Sequence, residues 1–216
     1  MIFRNRLYQR KPPDRDATLV IIYCEGSKRE PQYFTFFKGF SSRINLEIVP
    51  ADSQGNNSPL GLYQQAFLDI LDGTQRPLKY DVSDDDCVWF VIDTDTWGES
   101  IAKLRKACAP YKNWYVAQSN SCFEVWLYYH FSSEPAKDIM QDSTGWKHVV
   151  DAKVPGGFDS RKHPLLLADA IDHAKQNFIK TDTGEVCYGS TEVYQLGEQI
   201  YPLVSSVLEK VMEGTK

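Results

Sequence analysis

No stretch of this sequence approaches about 18 uninterrupted apolar residues, so no membrane-spanning helix is expected. The opening MIFRNRLYQRKPP is basic but has no apolar run behind its charges, and it is not expected to act as a secretory signal. The five cysteines, Cys24, Cys87, Cys108, Cys122 and Cys187, are scattered and never spaced as CxxC. That spacing argues against a zinc site and against a disulfide framework. It fits reduced, mostly buried thiols in a cytoplasm. A GxxxxGK[ST] phosphate loop is missing as well, which removes P-loop nucleotide chemistry. There is no internal repeat and no low-complexity linker. Nor is positive charge in excess. A net charge of −5 gives no general attraction to nucleic acid or to an anionic membrane. Contact with nucleic acid must then use a local basic patch or a partner protein. RNRLYQRKPPDRD near the start and Ser160-Arg161-Lys162-His163 are two such patches, and the plainer reading of each is solvated charge.

What remains is ample material for a core. The chain has 216 residues, 42% hydrophobic and 13% aromatic, which suits one folded domain and not a disordered chain. ATLVIIYCEG is an apolar, β-branched run of strand length. SKREPQYFTFFKGFS follows with Phe34 and Phe37 at helical spacing, Tyr33 and Phe40 widening the face, and Pro31 in the first turn. RINLEIVPA alternates as a short strand. PLGLYQQAFLDILDG reads as a helix with Leu62, Ala66, Ile70 and Leu71 on one side and Gly73 closing it. CVWFVIDTD is a second buried strand, GESIAKLRKACA a helix, NWYVAQS a strand, and SNSCFEVWLYYHF a turn into another helix.

The resulting β-α-β-α-β-α-β-α order over residues 17–131 predicts an α/β, Rossmann-like fold, a mostly parallel sheet flanked by helices. Residues 1–16 form a basic tail. Residues 132–216 read as a helical C-terminal extension packed on the core, with helices in PLLLADAIDHAKQNFIK and TEVYQLGEQIYPLVSSVLEKVM. Gly197 and Pro202 lie inside the last of these, and Pro202 is expected to kink it.

In open α/β sheets, function gathers outside the carboxyl ends of the strands. Here the first strand runs into Glu25-Gly26, and VWFVIDTD runs into Asp93 and Asp95. Residues two apart on a strand share a side, so Asp93 and Asp95 face the same way if extended geometry persists through Thr94. Carboxylates held together repel, and a hard divalent cation relieves that repulsion. The plain alternative is that two aspartates begin a surface loop. Gly26 would let the backbone turn sharply so that Glu25 faces a ligand.

Four stretches, IIYCEGSKREPQYF, VWFVIDTD, SNSCFEVWLYYHF and GSTEVYQL, together resemble the RloB-like family of prokaryotic defence proteins, with a Toprim-like core. Three positions depart from the family's usual pattern. Arg29 stands where Thr is usual, Ser121 where Pro is usual, and Thr94 where Arg or Lys is common. The resemblance implies a Toprim-like nuclease of an anti-phage or abortive-infection system, encoded beside an ABC- or AAA-type ATPase. It implies Mg²⁺ or Mn²⁺ held by Glu25, Asp93 and Asp95. Glu25 would be a ligand or a general acid/base, the latter needing a raised pKa. The substrate would be RNA, with tRNA one option, or DNA, and a homo-oligomer is compatible.

Neighbouring residues carry two readings each. Glu124, set in an apolar helix, either braces the strand loops by pairing with Lys28 or Arg29 or joins the active site as a catalytic acid. Asn120 is a helix cap or orients a phosphate or carboxylate of the substrate. Lys28 is a solvated loop lysine or a phosphate-binding, catalytic one. Arg29 is a bracing partner or a substrate contact. His130 is six residues past Glu124, off its face, and reads as a packed or surface histidine. Ser190 or Thr191 is expected to cap the last helix. Trp89, Phe123 and Trp126 read as core.

Overall fold

Strand β1 (Thr18–Cys24) is buried on both sides. Val20, Ile22 and Cys24 enter one apolar cluster, and Leu19, Ile21 and Tyr23 enter another. β3 (Cys87–Asp93) divides in the same way, with Cys87, Trp89 and Val91 against Val88, Phe90 and Ile92. Strands so apolar on both faces can persist only with helices over both. The computed structural model describes residues 17–51, 57–72, 79–94, 97–136 and 143–214. It supplies those two layers around a five-stranded sheet in the order β2-β1-β3-β4-β5.

β2 (Ile44–Val49), β1, β3 and β4 (Trp114–Asn120) are parallel, whereas β5 (Ser190–Thr191) runs antiparallel along β4. Helices α2 (Pro59–Ile70) and α3 (Gly98–Cys108) cover the Tyr23 side of the sheet. The other side is covered by α1 (Arg29–Thr35), α4 (Glu124–Tyr128), α5 (Ser143–Lys153), α6 (Leu167–Gln176) and α7 (Val193–Gly214). The architecture is the expected Rossmann-like mixed α/β one. Residues beyond 131 supply a strand as well as helices to it.

Some local expectations shift. α4 is only five residues long, because i→i+3 bonds tighten the chain on either side, at Val125 and Trp126 and again at His130 and Phe131. Leu71 lies past the end of α2 and is exposed, while Leu62, Ala66 and Ile70 are buried as their spacing predicts. Gly73 lies outside the described residues, as does the tail 1–16. Thr191 accepts the Val193 N–H at the head of α7, but Ser190 serves elsewhere, accepting from the Ile179 N–H. α7 runs on through Pro202. All five cysteines are free. No helix among the described residues is long and apolar enough to cross a membrane.

At Gly197 α7 packs tightly against α6. A Cβ there would stand 2.8 Å from Ile171 Cγ1 and 3.5 Å from Leu167 Cδ1. Gly197→Ala should therefore destabilise the fold by about 1–3 kcal/mol, although alanine is the better helix former. Urea denaturation measures this. An unchanged or raised midpoint would show that the helices part without cost.

Candidate active site

From β1 the chain turns to β2 on one flank, and β3 lies on the other. The order therefore reverses between β1 and β3. Ligands of doubly wound sheets sit outside the strand ends at that reversal. Glu25 and Asp93 stand on its two sides. The Glu25 N–H donates to Val91 O at 3.1 Å, carrying the β1–β3 ladder one residue past the strand. Its side chain then crosses to β3. The Asp93 N–H donates to Glu25 Oε2 at 2.9 Å, and the Trp97 indole N–H donates to Glu25 Oε1 at 2.6 Å. Hydrogen bonds onto a carboxylate are among the stronger kind, so the mouth of β3 and the head of α3 are both tied to Glu25. Trp97 carries no motif signal. Only its position just before α3 could have suggested it.

β3 ends at Asp93, and Asp95 lies outside the described residues. Whether Asp95 shares a face with Asp93 falls with it. Thr94 is described and fully engaged. Its N–H points at the carbonyls of Ser119 and Ser121, 2.9 Å from each, and its hydroxyl donates to Ser119 O at 2.9 Å. The neighbouring Asn120–Ser121 peptide is cis.

A second acidic residue of the EGSKREP stretch, Glu30, is buried beside the loop. It is 5% exposed, and its carboxylate lies against Gly26. A Cβ on Gly26 would strike Glu30 Oε2 and stand 2.5 Å from Oε1. A side chain at Gly26 would therefore displace the Glu30 carboxylate from where it lies. Gly26 is not among the glycines of positive φ. Burial raises the Glu30 carboxyl above its ordinary pKa; its own N–H, then that of Gly26, oppose the rise, and the nearby Glu124 adds to it. Glu124 is also buried, and the Arg29 guanidinium lies 3.9 Å from its Oε1. Of the two predicted partners it is therefore Arg29 that braces Glu124, from the α1 side. Cys122 lies between this pair and the strand mouth. Burial pushes its thiol up, and the charges of Glu124 and Asp93 push it further. The signal for Glu30 was its position five residues after Glu25, on the first turn of a helix that must pack tightly.

Lys28 is exposed just ahead of α1 and lines an open cavity of about 860 Å³. Ser27, Gln32 and Phe36 line it from the α1 side, and Phe158, Ser160 and Arg161 from the loop after α5. The fold thus sets Lys28 and the first half of the predicted basic patch, Ser160 and Arg161 with its partner Asp159, around one hollow beside the loop that follows Glu25. Asn120 does not cap α4, whose N-terminus has no side-chain cap. Its amide donates to Val186 O at 2.8 Å, holding the segment before β5. His130 is packed, as expected. Its Nδ1 lies 3.1 Å from Trp126 O, which can only accept, so Nε2 accepts from the Tyr33 hydroxyl at 3.0 Å. Trp89, Phe123 and Trp126 are core residues.

A hard divalent ion needs oxygen ligands, and the two strand mouths offer carboxylates of that type. Among the described residues no three of His, Cys, Asp and Glu are grouped to hold a metal ion. The described part of the site contributes Glu25 and Asp93, and a third acid, Asp95, follows in the chain. A carboxylate oxygen that accepts one N–H keeps a second lone pair, so these hydrogen bonds do not bar ligation. In donor chemistry the site fits a hard ion.

Compared with known proteins, residues 20–200 match the family model described as RloB-like protein. No curated protein and no solved structure matches.

Proposed function

This chain belongs to the RloB-like family, and from that premise we propose that it is a metal-dependent nuclease effector of an anti-phage defence system. Its substrate is RNA, with tRNA one option, or DNA, and an ABC- or AAA-type ATPase controls it. The observation that supports this reading is that two adjacent parallel strands each end in an acid, Glu25 and Asp93, at the reversal of the sheet order, with the Asp93 backbone N–H donating to the Glu25 carboxylate. A scaffold has no physical need for an acid at both of these strand ends.

In this reading Glu25, Asp93 and Asp95 hold Mg²⁺ or Mn²⁺. The bound ion supplies Lewis acidity to a phosphodiester oxygen and a water of lowered pKa. The chain's own residues do the rest. The Trp97 and Asp93 N–H groups fix the direction of the Glu25 carboxylate. Arg29 and Glu124 hold α1 against α4, and with it the loop after Glu25. Lys28 lines the cavity through which a backbone phosphate would approach, opposite an Arg161 already paired with Asp159. The net charge of −5 makes a local cation such as Lys28, or a partner, necessary for substrate capture.

The test uses the chain together with the ATPase encoded beside it. Labelled tRNA, single-stranded RNA and DNA are offered with Mg²⁺, Mn²⁺ or a chelator. Cleavage of one class is expected, abolished by the chelator and lowered about 100-fold or more by Asp93→Asn. Lys28→Gln should weaken substrate binding evenly across sequences and reduce the salt slope by about 1. If wild type binds the ATPase yet cleaves none of these, the chain is a regulatory subunit with a Toprim-like shell.

A further inference from the structure

Glu192, in the GSTEVYQL stretch, has no part in the chemistry above. It is nevertheless a buried carboxylate paired with two cations and a backbone N–H. It is 2% exposed and accepts from the Arg105 guanidinium, from Lys180 Nζ at 2.9 Å and from the Gln118 N–H at 3.2 Å. Arg105 comes from α3, Gln118 from β4 and Lys180 from the segment after α6. Three distant parts of the chain therefore converge on one buried charge. Burying such a charge is costly, and an apolar staple would join the same elements at least as well. What the ionic group adds is direction.

That direction can be followed atom by atom. Arg105 Nη2 also donates to Gln118 Oε1 at 3.0 Å. A guanidinium can only donate, so it sets the Gln118 amide with its oxygen toward α3 and its NH₂ the other way. The NH₂ donates to Thr94 Oγ1 at 2.9 Å. Ser119 O can only accept, so the Thr94 hydroxyl donates its own proton there. The Thr94 N–H points at Ser119 O and Ser121 O beside it. The backbone around this relay is stitched as well, since the Glu192 N–H donates to Gln118 O and the Ser119 and Thr191 hydroxyls share a bond of 2.8 Å.

We infer that Glu192, Arg105 and Gln118 are positioning residues. Through Thr94 they hold the chain just after Asp93 in register with β4, and so set the backbone from which the Asp93 side chain projects. Their effect on metal binding rests on the nuclease reading, but their geometry does not. This also accounts for an uncharged residue between Asp93 and Asp95. Residue 94 serves as the last link of the relay, a role that a hydroxyl fills.

The test compares wild type with Thr94→Val, which keeps the shape and loses the hydroxyl, Thr94→Ser, which restores it, and Glu192→Gln. Four quantities are read: amide exchange at Asp93 and Thr94, the indole N–H resonance of Trp97, Mn²⁺ affinity by titration, and the melting temperature. In Thr94→Val and Glu192→Gln the Thr94 amide should exchange faster and the Trp97 resonance should move. Mn²⁺ should bind about 10-fold more weakly, with Thr94→Ser close to wild type. A lowered melting temperature with an unchanged Thr94 amide and Trp97 resonance would overturn the inference, leaving only a structural staple. If the amide and indole respond as expected but wild type binds no Mn²⁺, positioning stands and the nuclease reading falls. Should Glu192→Gln fail to fold, Thr94→Val alone decides.

Discussion

Glu25→Gln will lower cleavage by at least about 100-fold and will also weaken the fold, two effects with separate causes. The first comes from removing the negative charge at the strand mouth. The second comes from hydrogen-bond polarity. In the native chain both oxygens of Glu25 accept, one from the Asp93 N–H and one from the Trp97 indole. Glutamine has a single acceptor, so its NH₂ must face one of those donors. Leaving a donor unpaired costs about 1–3 kcal/mol, toward the lower end here because Glu25 is only half-buried. Asp93→Asn is the informative companion. Its backbone N–H is untouched and still reaches Glu25, so activity should fall with the Glu25–Asp93 bond intact. Denaturation midpoints and cleavage rates, measured on the same preparations, separate the two effects. Wild-type cleavage by Glu25→Gln would end the catalytic assignment of this residue.

Stability should fall as pH is lowered from about 6.5, before the ordinary carboxylates titrate. The cause is His130, 2% exposed and held neutral between the Tyr33 hydroxyl and Trp126 O. Burial lowers its pKa to about 3. The unfolded chain takes up a proton near the ordinary value of about 6.5, and the folded one does not until about pH 3. Between those values the unfolded state binds more protons, so acid favours it. No loss is due to His130 above about pH 6.5. The slope approaches about 1.4 kcal/mol per pH unit well below it, or some 2 kcal/mol by pH 5. His163, lowered by burial and by Lys162, acts in the same direction. Glu30, raised mainly by burial, acts oppositely, since its protonation relieves a folded-state cost. Urea midpoints from pH 7.5 to 5 should therefore decline, and the decline should flatten in His130→Gln. A profile of equal slope in the variant would assign the loss to other groups.

Both predictions depend on residues whose visibility in the sequence differed. Glu25 and Asp93 were legible because each closes an unbroken apolar run. Such a run marks a buried strand whatever its neighbours do, and chain direction then puts its last residue at the carboxyl edge. The same local logic found Trp89, Phe123 and Trp126 for the core. It could not find Trp97, whose only qualification is that its indole reaches a carboxylate 72 residues away in the chain. Glu30 and Glu192 escaped for the same reason. Each stood in a recognised stretch, but a carboxylate in a loop or first turn looks solvated until its neighbours are known. β5, two residues long, is too short for any periodicity to show.

Periodicity of two and of three to four residues is a property of short segments, and it determined the alternation of strands and helices, the apolar interior and the acids at two strand ends. Which strand lies beside which is decided by hydrogen bonds between segments far apart in the chain, and that choice belongs to the tertiary structure. It set β1 against β3, making Glu25 and Asp93 neighbours. It folded Ser190–Thr191 back onto β4, so that Glu192 meets Arg105. It brought Lys28 and Arg161 to one cavity. A carboxylate's surroundings are made by contacts that no local pattern encodes.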